Sequence, residues 1–253
     1  MKTIVVVPTY NESQNIVELV STIRAECRNF DLHILVVDSA SPDRTADKVR
    51  ELQKKDPRLF LFEQSAKLGL GRAYLDGMNW VLKQDYDALV TMDADMSHHP
   101  KYLVPMIEGV QDHDLVIGSR YMKGGGLENW PVARQCLSRF ANWYASTLTG
   151  LPFHDLTSGF QCFRTTLLRK VLSHNIHTEG YAFLVELKFL SMVQAAHFKE
   201  IPIIFTDRTR GTSKISKRVI LESMFFVLSC FFRRHLVCQA RSGAQSSRSS
   251  LPE

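Results

Sequence analysis

Short β-branched runs alternate with longer segments of helical periodicity through most of this chain, and that alternation restricts the fold more than any other feature. The run "TIVVV" (3–7) is apolar at every position, as in a strand covered on both faces. Apolar residues then recur at Ile16, Leu19, Val20 and Ile23, the spacing of one helix face. "HILVVD" (33–38) reads as the next strand, and "SPDRTADKVRELQKK" (41–55) opens with a Ser-Pro helix start. "RLFLFE" (58–63), a helix near 70–83, "DALVTMD" (87–93), a helix from Pro100 and "DLVIGS" (114–119) continue the pattern. A long amphipathic helix is predicted from Pro131 to about Leu148, "GFQCFR" and "KEIPIIF" read as later strands, and the run from Gly180 to Ala196 as helical. Strands alternating with helices in this way build βαβ units on a mostly parallel sheet.

Composition excludes several classes. With 45% hydrophobic and 23% charged residues the chain can bury a sizeable core. Its five cysteines are odd in number and form no C-x-x-C, which fits a reducing compartment and argues against a disulfide framework or a zinc site. The N-terminal apolar run ends at Pro8, too short for a signal peptide, and is read as the first strand. The net charge of +5 is uneven: from Arg208 onward there are nine Lys/Arg against two Asp/Glu. That asymmetry points to an anionic partner at the C-terminal end.

Three D-x-D pairs occur, Asp85/Asp87, Asp93/Asp95 and Asp112/Asp114. In open α/β sheets, ligands sit outside the carboxyl ends of the strands. The first and third pairs precede their strands; only Asp93/Asp95 follows one. Two carboxylates on one side of an extended segment repel unless a cation lies between them, and Mg²⁺ or Mn²⁺ takes such oxygens together with substrate phosphates. A solvated turn is the alternative. Other strand ends carry suitable company: Pro8-Thr-Tyr10-Asn-Glu12, with an aromatic for stacking and a carboxylate for base or sugar donors; Asp38-Ser39-Ala-Ser-Pro-Asp43; and Arg120 before the glycine loop 124–126. Neither G-x-G-x-x-G after the first strand nor a P-loop is present, which removes dinucleotide and P-loop readings.

The segments "VVVPTYNESQNI", "ILVVDSASPDRT", "KLGLGRAYLDGM", "VTMDADMSHHPKYL", "LVIGSRYMKGGGLENWPVARQCLSRFAN", "DLTSGFQCFR", "EGYAFLVEL" and "IPIIFTDRTRGTSKI" closely resemble the dolichyl-phosphate mannosyltransferase branch of glycosyltransferase family 2. They run in the family's order from residue 4 to about 215. The resemblance implies a single GT-A (Rossmann-like) domain over residues 1–214, an α/β fold that moves mannose from GDP-mannose to a polyprenyl monophosphate with inversion. It places Pro8, Tyr10, Glu12, Val37 and position 39, with Asp38 beside it, around the nucleotide. Asp93, Ala94 and Asp95 hold metal and sugar diphosphate, with Ser97 beside them. Arg120 belongs to the centre, Arg208 and Lys214 to a loop closing over the diphosphate, and Arg134 and Ser138 to the lipid phosphate. One position departs: where the family carries a second aspartate after the second strand, this chain has Ser39, which brings no charge. A UDP-sugar transferase to the same lipid, or a non-catalytic nucleotide-sugar-binding subunit, are the alternatives.

A phosphate monoester has a second pKa of about 6 and is already nucleophilic at neutral pH. Such an acceptor needs cations more than a general base, a demand that Arg120 and Arg134 fit, so no base is assigned, and Glu186 is read as a structural buried carboxylate. His98 and His99 are read as structural or supporting, Trp130 and Pro131 as a helix start, and Gly124–Gly126 as a flexible loop. "VILESMFFVLSCFF" (219–232) is apolar, shorter than the roughly 20 residues that span a bilayer, and flanked by Lys217/Arg218 and Arg233/Arg234. Residues 215–237 are therefore expected as an amphipathic helix at a membrane surface, with a core helix or one docked on a membrane-embedded partner as alternatives. Residues 238–253 are expected to be disordered. The chain is expected in the cytoplasm, peripheral on the cytoplasmic face of a membrane, and without nucleic-acid binding.

Overall fold

The computed structural model describes residues 1–176, 178, 180–207 and 217–248, with the backbone alone for 181, 217–222 and 241–248. Arg208 and Lys214 lie outside the described residues. The chain runs through β1 (Thr3–Thr9), α1 (Ile16–Glu26), β2 (Leu32–Asp38), α2 (Thr45–Gln53), β3 (Leu59–Glu63), α3 (Leu70–Val81) and β4 (Ala88–Thr91). A 3₁₀ turn at Pro100–Tyr102 leads into α4 (Leu103–Gly109), followed by β5 (Leu115–Ser119), β6 (Gly126–Glu128) and α5 (Val132–Thr149). Then come β7 (Gln161–Arg164), α6 (Thr165–Leu172), α7 (Gly180–Val193), β8 (Phe198–Pro202), β9 (Ile204–Thr206) and α8 (Lys217–Arg248).

Seven strands form one sheet in the order β3-β2-β1-β4-β7-β5-β8, and β6 pairs with β9 in a small second sheet. Every pairing in the large sheet is parallel except those of β7, which runs antiparallel between β4 and β5. The strand period of two splits β1 between two cores. Ile4 and Val6 face α3, α6 and α7, while Val5 and Val7 face α1, α2 and α4. Helices thus cover both faces, as the uninterrupted apolar strands required. Gly77 of α3 lets that helix sit close on the sheet: a Cβ there would meet Val6 Cγ1 at 2.6 Å.

The periodicities locate most elements to within a few residues. Two were not expected: α6, which directly follows β7, and the short strand β6; the run "KEIPIIF", read as one strand, is divided into β8 and β9. The 124–126 segment is a strand entrance as well as a loop. Gly125 is required there, because a Cβ would lie 2.6 Å from the Ser119 carbonyl oxygen. Helix α8 also differs from expectation. It runs past residue 237 to Arg248, and Val227, Cys230 and Val237 are buried in the core beside α7, so one of its faces belongs to the globule. Phe225 and Phe232 remain 71% exposed on the rest of it. Among the described residues no helix is long and apolar enough to cross a membrane.

Candidate active site

The carboxyl ends of β1, β2, β4 and β5 open on one cavity of roughly 330 Å³. Its wall includes Pro8 at the end of β1, Tyr10 and Glu12 after it, Ser39 after β2, Asp93, Ala94 and Asp95 after β4, and Arg120 after β5. The antiparallel β7 matters here. Its amino end lies at this same edge, and so the preceding loop brings Thr157 and Gly159 to the wall. Thr91 Oγ1 donates to the Gly159 carbonyl at 2.6 Å, stitching that loop to the end of β4.

The acidic pair is held from behind. Tyr74 of α3 donates its hydroxyl to Asp93 Oδ1 at 3.1 Å. Burial, with the nearby Asp93 and Asp95 charges, pushes the Tyr74 pKa well above its ordinary value, which keeps the phenol a donor. The Asp93 backbone N–H donates to His98 Nδ1 at 3.1 Å. That ring is stacked on Phe160 with centroids 4.8 Å apart, and its pKa is lowered chiefly by burial, so it stays neutral and can accept. The Ser97 backbone N–H donates to Asp95 Oδ1 at 3.1 Å. Both acidic side chains reach the cavity and supply hard oxygen donors without nitrogen or sulfur, a set that fits Mg²⁺ or Mn²⁺ sharing phosphate oxygens. Among the described residues no group of three or more His, Cys, Asp or Glu is placed to hold a metal, so phosphate and water oxygens would complete the shell.

The cationic side is equally fixed. Arg120 donates from Nε and Nη2 to the two oxygens of Asp155 at 2.7 and 2.8 Å, from its backbone N–H to Asp155 at 3.0 Å, and from Nη2 to Thr157 Oγ1 at 2.7 Å. Burial by itself would raise the Asp155 pKa, but the charge and hydrogen bonds of Arg120, with the Lys188 charge, hold it below the usual 3.8. Lys188 is fully buried beneath the loop and donates to the carbonyls of Leu156 and Ser158 at 3.1 and 2.7 Å. Its pKa falls to about 7 because burial outweighs the attraction of Asp155. Arg134 of α5 lies over the Trp130 ring at 3.8 Å and pairs with Asp207 at 2.7 Å. Both Arg134 and Trp130 line the cavity.

The structure therefore brings together Pro8, Tyr10, Glu12, Ser39, Asp93, Ala94, Asp95, Arg120 and Arg134. It sets four expected residues apart from the wall. Val37 is in the core against α3. Asp38 is buried and spent on its own turn, accepting from Thr9 Oγ1 at 2.8 Å and from the Ser41 hydroxyl and N–H at 2.6 and 2.9 Å. Ser97 is buried behind Asp95. Ser138 shares a hydrogen bond of 2.6 Å with the Tyr121 hydroxyl. Trp130 belongs to the wall, and not only to a helix start. Sequence reasoning missed Tyr74, Asp155, Thr157, Lys188 and Phe205; a lone acid and lysine in apolar surroundings, Asp155 and Lys188, were the available signal. Glu186 accepts from the Thr178 hydroxyl at 2.5 Å, the structural role expected of it. His99 caps the following turn, its Nδ1 accepting from Lys101 N–H at 3.1 Å.

Comparisons with known proteins follow the same lines. A family model described as Glycosyl transferase family 2 matches residues 4–172. Polyprenol monophosphomannose synthase of Mycolicibacterium smegmatis is 40% identical over 237 residues, covering 93% of this chain and 89% of that protein. Undecaprenyl-phosphate mannosyltransferase of Micrococcus luteus is 37% identical over 224 residues, covering 88% of this chain and 91% of that one. Glucosyl-3-phosphoglycerate synthase from Mycobacterium tuberculosis, solved with Mn²⁺, UDP and glucosyl-3-phosphoglycerate, aligns with a TM-score of 0.59 at 18% identity, over 92% of this chain and 79% of that one. At that identity the likeness concerns the fold alone.

Proposed function

The chain belongs to glycosyl transferase family 2, and from that premise we propose that it moves mannose from GDP-mannose to a polyprenyl monophosphate, inverting the anomeric carbon. One observation carries the reading: the order of chemical groups along the sheet edge. Tyr10, Glu12 and Ser39 line the cavity at the β1 and β2 ends, Asp93 and Asp95 at β4, and Arg120 and Arg134 beyond it at β5 and α5. Nucleoside, diphosphate and anionic acceptor meet suitable partners in that sequence. Asp93 and Asp95 would hold the Mg²⁺ or Mn²⁺, which when bound offsets the charge that grows on the departing diphosphate.

The chain's own groups do the rest. Tyr10 offers a ring to the nucleoside, and Lys67 already lies over that ring at 4.0 Å. Arg120 and Arg134 are held rigidly, by Asp155 and by Trp130 with Asp207, so they can orient a phosphate without first losing side-chain freedom. The acceptor phosphate is mostly dianionic at neutral pH and attacks without a general base. Arg208 and Lys214, which precede α8 in the chain, are proposed to meet the diphosphate.

Residues 1–214 form the catalytic unit in this reading, and α5 with α8 meets the membrane surface that holds the lipid. Phe140 and Trp143 of α5 are 55% and 61% exposed, and α8 packs against α5 with its own aromatic residues open. Basic residues Arg139, Arg233 and Arg234 accompany them, a composition suited to an anionic leaflet. The test is transfer of labelled sugar into polyprenyl phosphate by purified protein, with GDP-mannose or UDP-glucose as donor. Transfer from GDP-mannose that chelator abolishes is expected. Transfer from UDP-glucose alone would overturn the donor assignment, and full activity in chelator would overturn the metal.

A further inference from the structure

Ser39 stands where the resembled family carries an aspartate, and the structure shows what its hydroxyl does. Ser39 Oγ donates to Gln64 Oε1 at 2.7 Å. Gln64 Nε2 donates in turn to Asp76 Oδ2 at 2.7 Å, and Arg72 Nε meets the other oxygen of Asp76 at 2.9 Å. The three residues come from the end of β2, the end of β3 and the middle of α3. Ser39 and Gln64 are buried, and their backbones are pinned: Ser39 N–H donates to the Thr9 carbonyl at 2.9 Å and Gln64 N–H to the Asp38 carbonyl at 2.8 Å.

The direction of this chain of hydrogen bonds is forced. A carboxylate paired with an arginine only accepts, so the nitrogen of the Gln64 amide must face Asp76. Its carbonyl oxygen then faces Ser39, and the single hydroxyl proton of Ser39 is committed to it. What Ser39 has left for the cavity is lone pairs. We propose that Gln64 and Asp76, neither of which lines the cavity, fix Ser39 as an acceptor-only contact that selects nucleobases carrying an imino N–H. The inference rests on the nucleotide-sugar reading above.

The position suits that role. β2 lies two strands from β4, so Ser39 is about 10 Å along the sheet from the acidic pair, on the side of Tyr10 and Glu12. A diphosphate at Asp93 and Asp95 would direct its nucleoside there. Guanine and uracil carry a ring N–H on their pairing edge, which an oxygen lone pair can accept. Adenine and cytosine carry a bare ring nitrogen at that place, and two lone pairs would then face each other. An unsatisfied buried pair of this kind costs more than a lost hydrogen bond, so the discrimination works by rejection as well as by attraction. Gln64 and Asp76 are positioning residues, and their effect is on base selectivity.

Calorimetric titration of the full chain with GDP, ADP, UDP and CDP tests this. The wild type should prefer GDP to ADP. Asp76→Asn supplies a side chain that can donate as well as accept, which frees the Gln64 amide to turn over and return the Ser39 proton to the cavity. The GDP-to-ADP affinity ratio should then fall about tenfold, the size of one hydrogen bond, with the melting temperature nearly unchanged. Ser39→Ala should weaken GDP by a similar factor and tighten ADP, because the lone pairs that face the bare ring nitrogen of adenine are gone, and this variant decides the matter if Asp76→Asn is poorly folded. A ratio preserved in both variants overturns the proposal, as does a wild type that prefers ADP or CDP. A wild type that prefers UDP to GDP defeats the GDP-mannose reading alone; the UDP-to-CDP ratio in the same variants then decides the relay. Binding of no nucleoside diphosphate overturns both.

Discussion

Asp155→Asn should unfold this protein more readily and stop it working, for a reason visible in three hydrogen bonds. Asp155 takes three donors from Arg120, two side-chain and one backbone, at 2.7–3.0 Å, and the pair is 7% and 0% exposed. Asparagine keeps one acceptor oxygen and turns an NH₂ toward the guanidinium. Removing one partner of a buried ion pair leaves an uncompensated charge and costs about 3–5 kcal/mol. In a domain of this size that corresponds to a fall of about 6–20 °C in melting temperature. Urea unfolding followed by tryptophan fluorescence should show a lower midpoint with an unchanged slope. The pH dependence has a definite sign. Asp155 has a folded pKa held below its ordinary 3.8, so its stabilisation is fully present above that value and is lost as pH falls through the folded one. The gap between wild type and variant should therefore narrow only below about pH 4. A double variant, Arg120→Met with Asp155→Leu, removes both charges and should recover much of the stability but none of the transfer activity. A loss below about 1 kcal/mol in Asp155→Asn, with transfer retained, would refute the view that this pair positions Arg120.

Other substitutions separate the remaining roles. Asp95→Ala should abolish transfer in a folded protein, whereas Asp87→Ala should keep it, because Asp87 lies at the opposite edge, where its carboxylate accepts the Lys2 backbone N–H at 2.8 Å; equal losses would remove the strand-end argument. Arg134→Ala should raise the apparent KM for lipid phosphate about tenfold or more while barely changing that for GDP-mannose, and the reverse pattern in initial-rate kinetics would reassign it. Phe225→Ser with Phe232→Ser should leave the thermal melt unchanged and weaken sedimentation with anionic vesicles, since both side chains are 71% exposed. Undiminished vesicle binding would place the membrane contact elsewhere.

Periodicity was enough to read the α/β plan because it is a local signal: Ile16, Leu19, Val20 and Ile23 mark a helix face whatever they pack against. α8 shows where local signals stop. Its apolar run announced a helix, but whether that helix faced lipid or core depended on what lay beside it. Val227, Cys230 and Val237 turn inward against α7 while Phe225 and Phe232 stay open. One pattern serves two surfaces.

The candidate site divides in the same way. Asp93 and Asp95 could be chosen over Asp87 and Asp114 from the sequence, because the end of a strand on which a residue falls is fixed by chain direction alone. The sequence likewise marked Tyr10, Glu12 and Arg120 by their places after strands. Which neighbours they would have was decided by the insertion of antiparallel β7 between β4 and β5, which carries the 155–159 loop to the edge where Arg120 emerges. Asp155 and Arg120 are 35 residues apart, and Lys188 reaches the same loop from α7. Val37 and Asp38 were set apart for different reasons: Asp38 points to the opposite face from Ser39 because successive strand residues alternate, whereas Val37 shares that face but lies further back along β2, where Gly77 of α3 packs on it. Ser39 itself read as a lost charge. Only the fold, by setting Gln64 and Asp76 in line behind it, gave that hydroxyl a direction, since a hydrogen bond's polarity depends on partners that proximity in sequence does not supply.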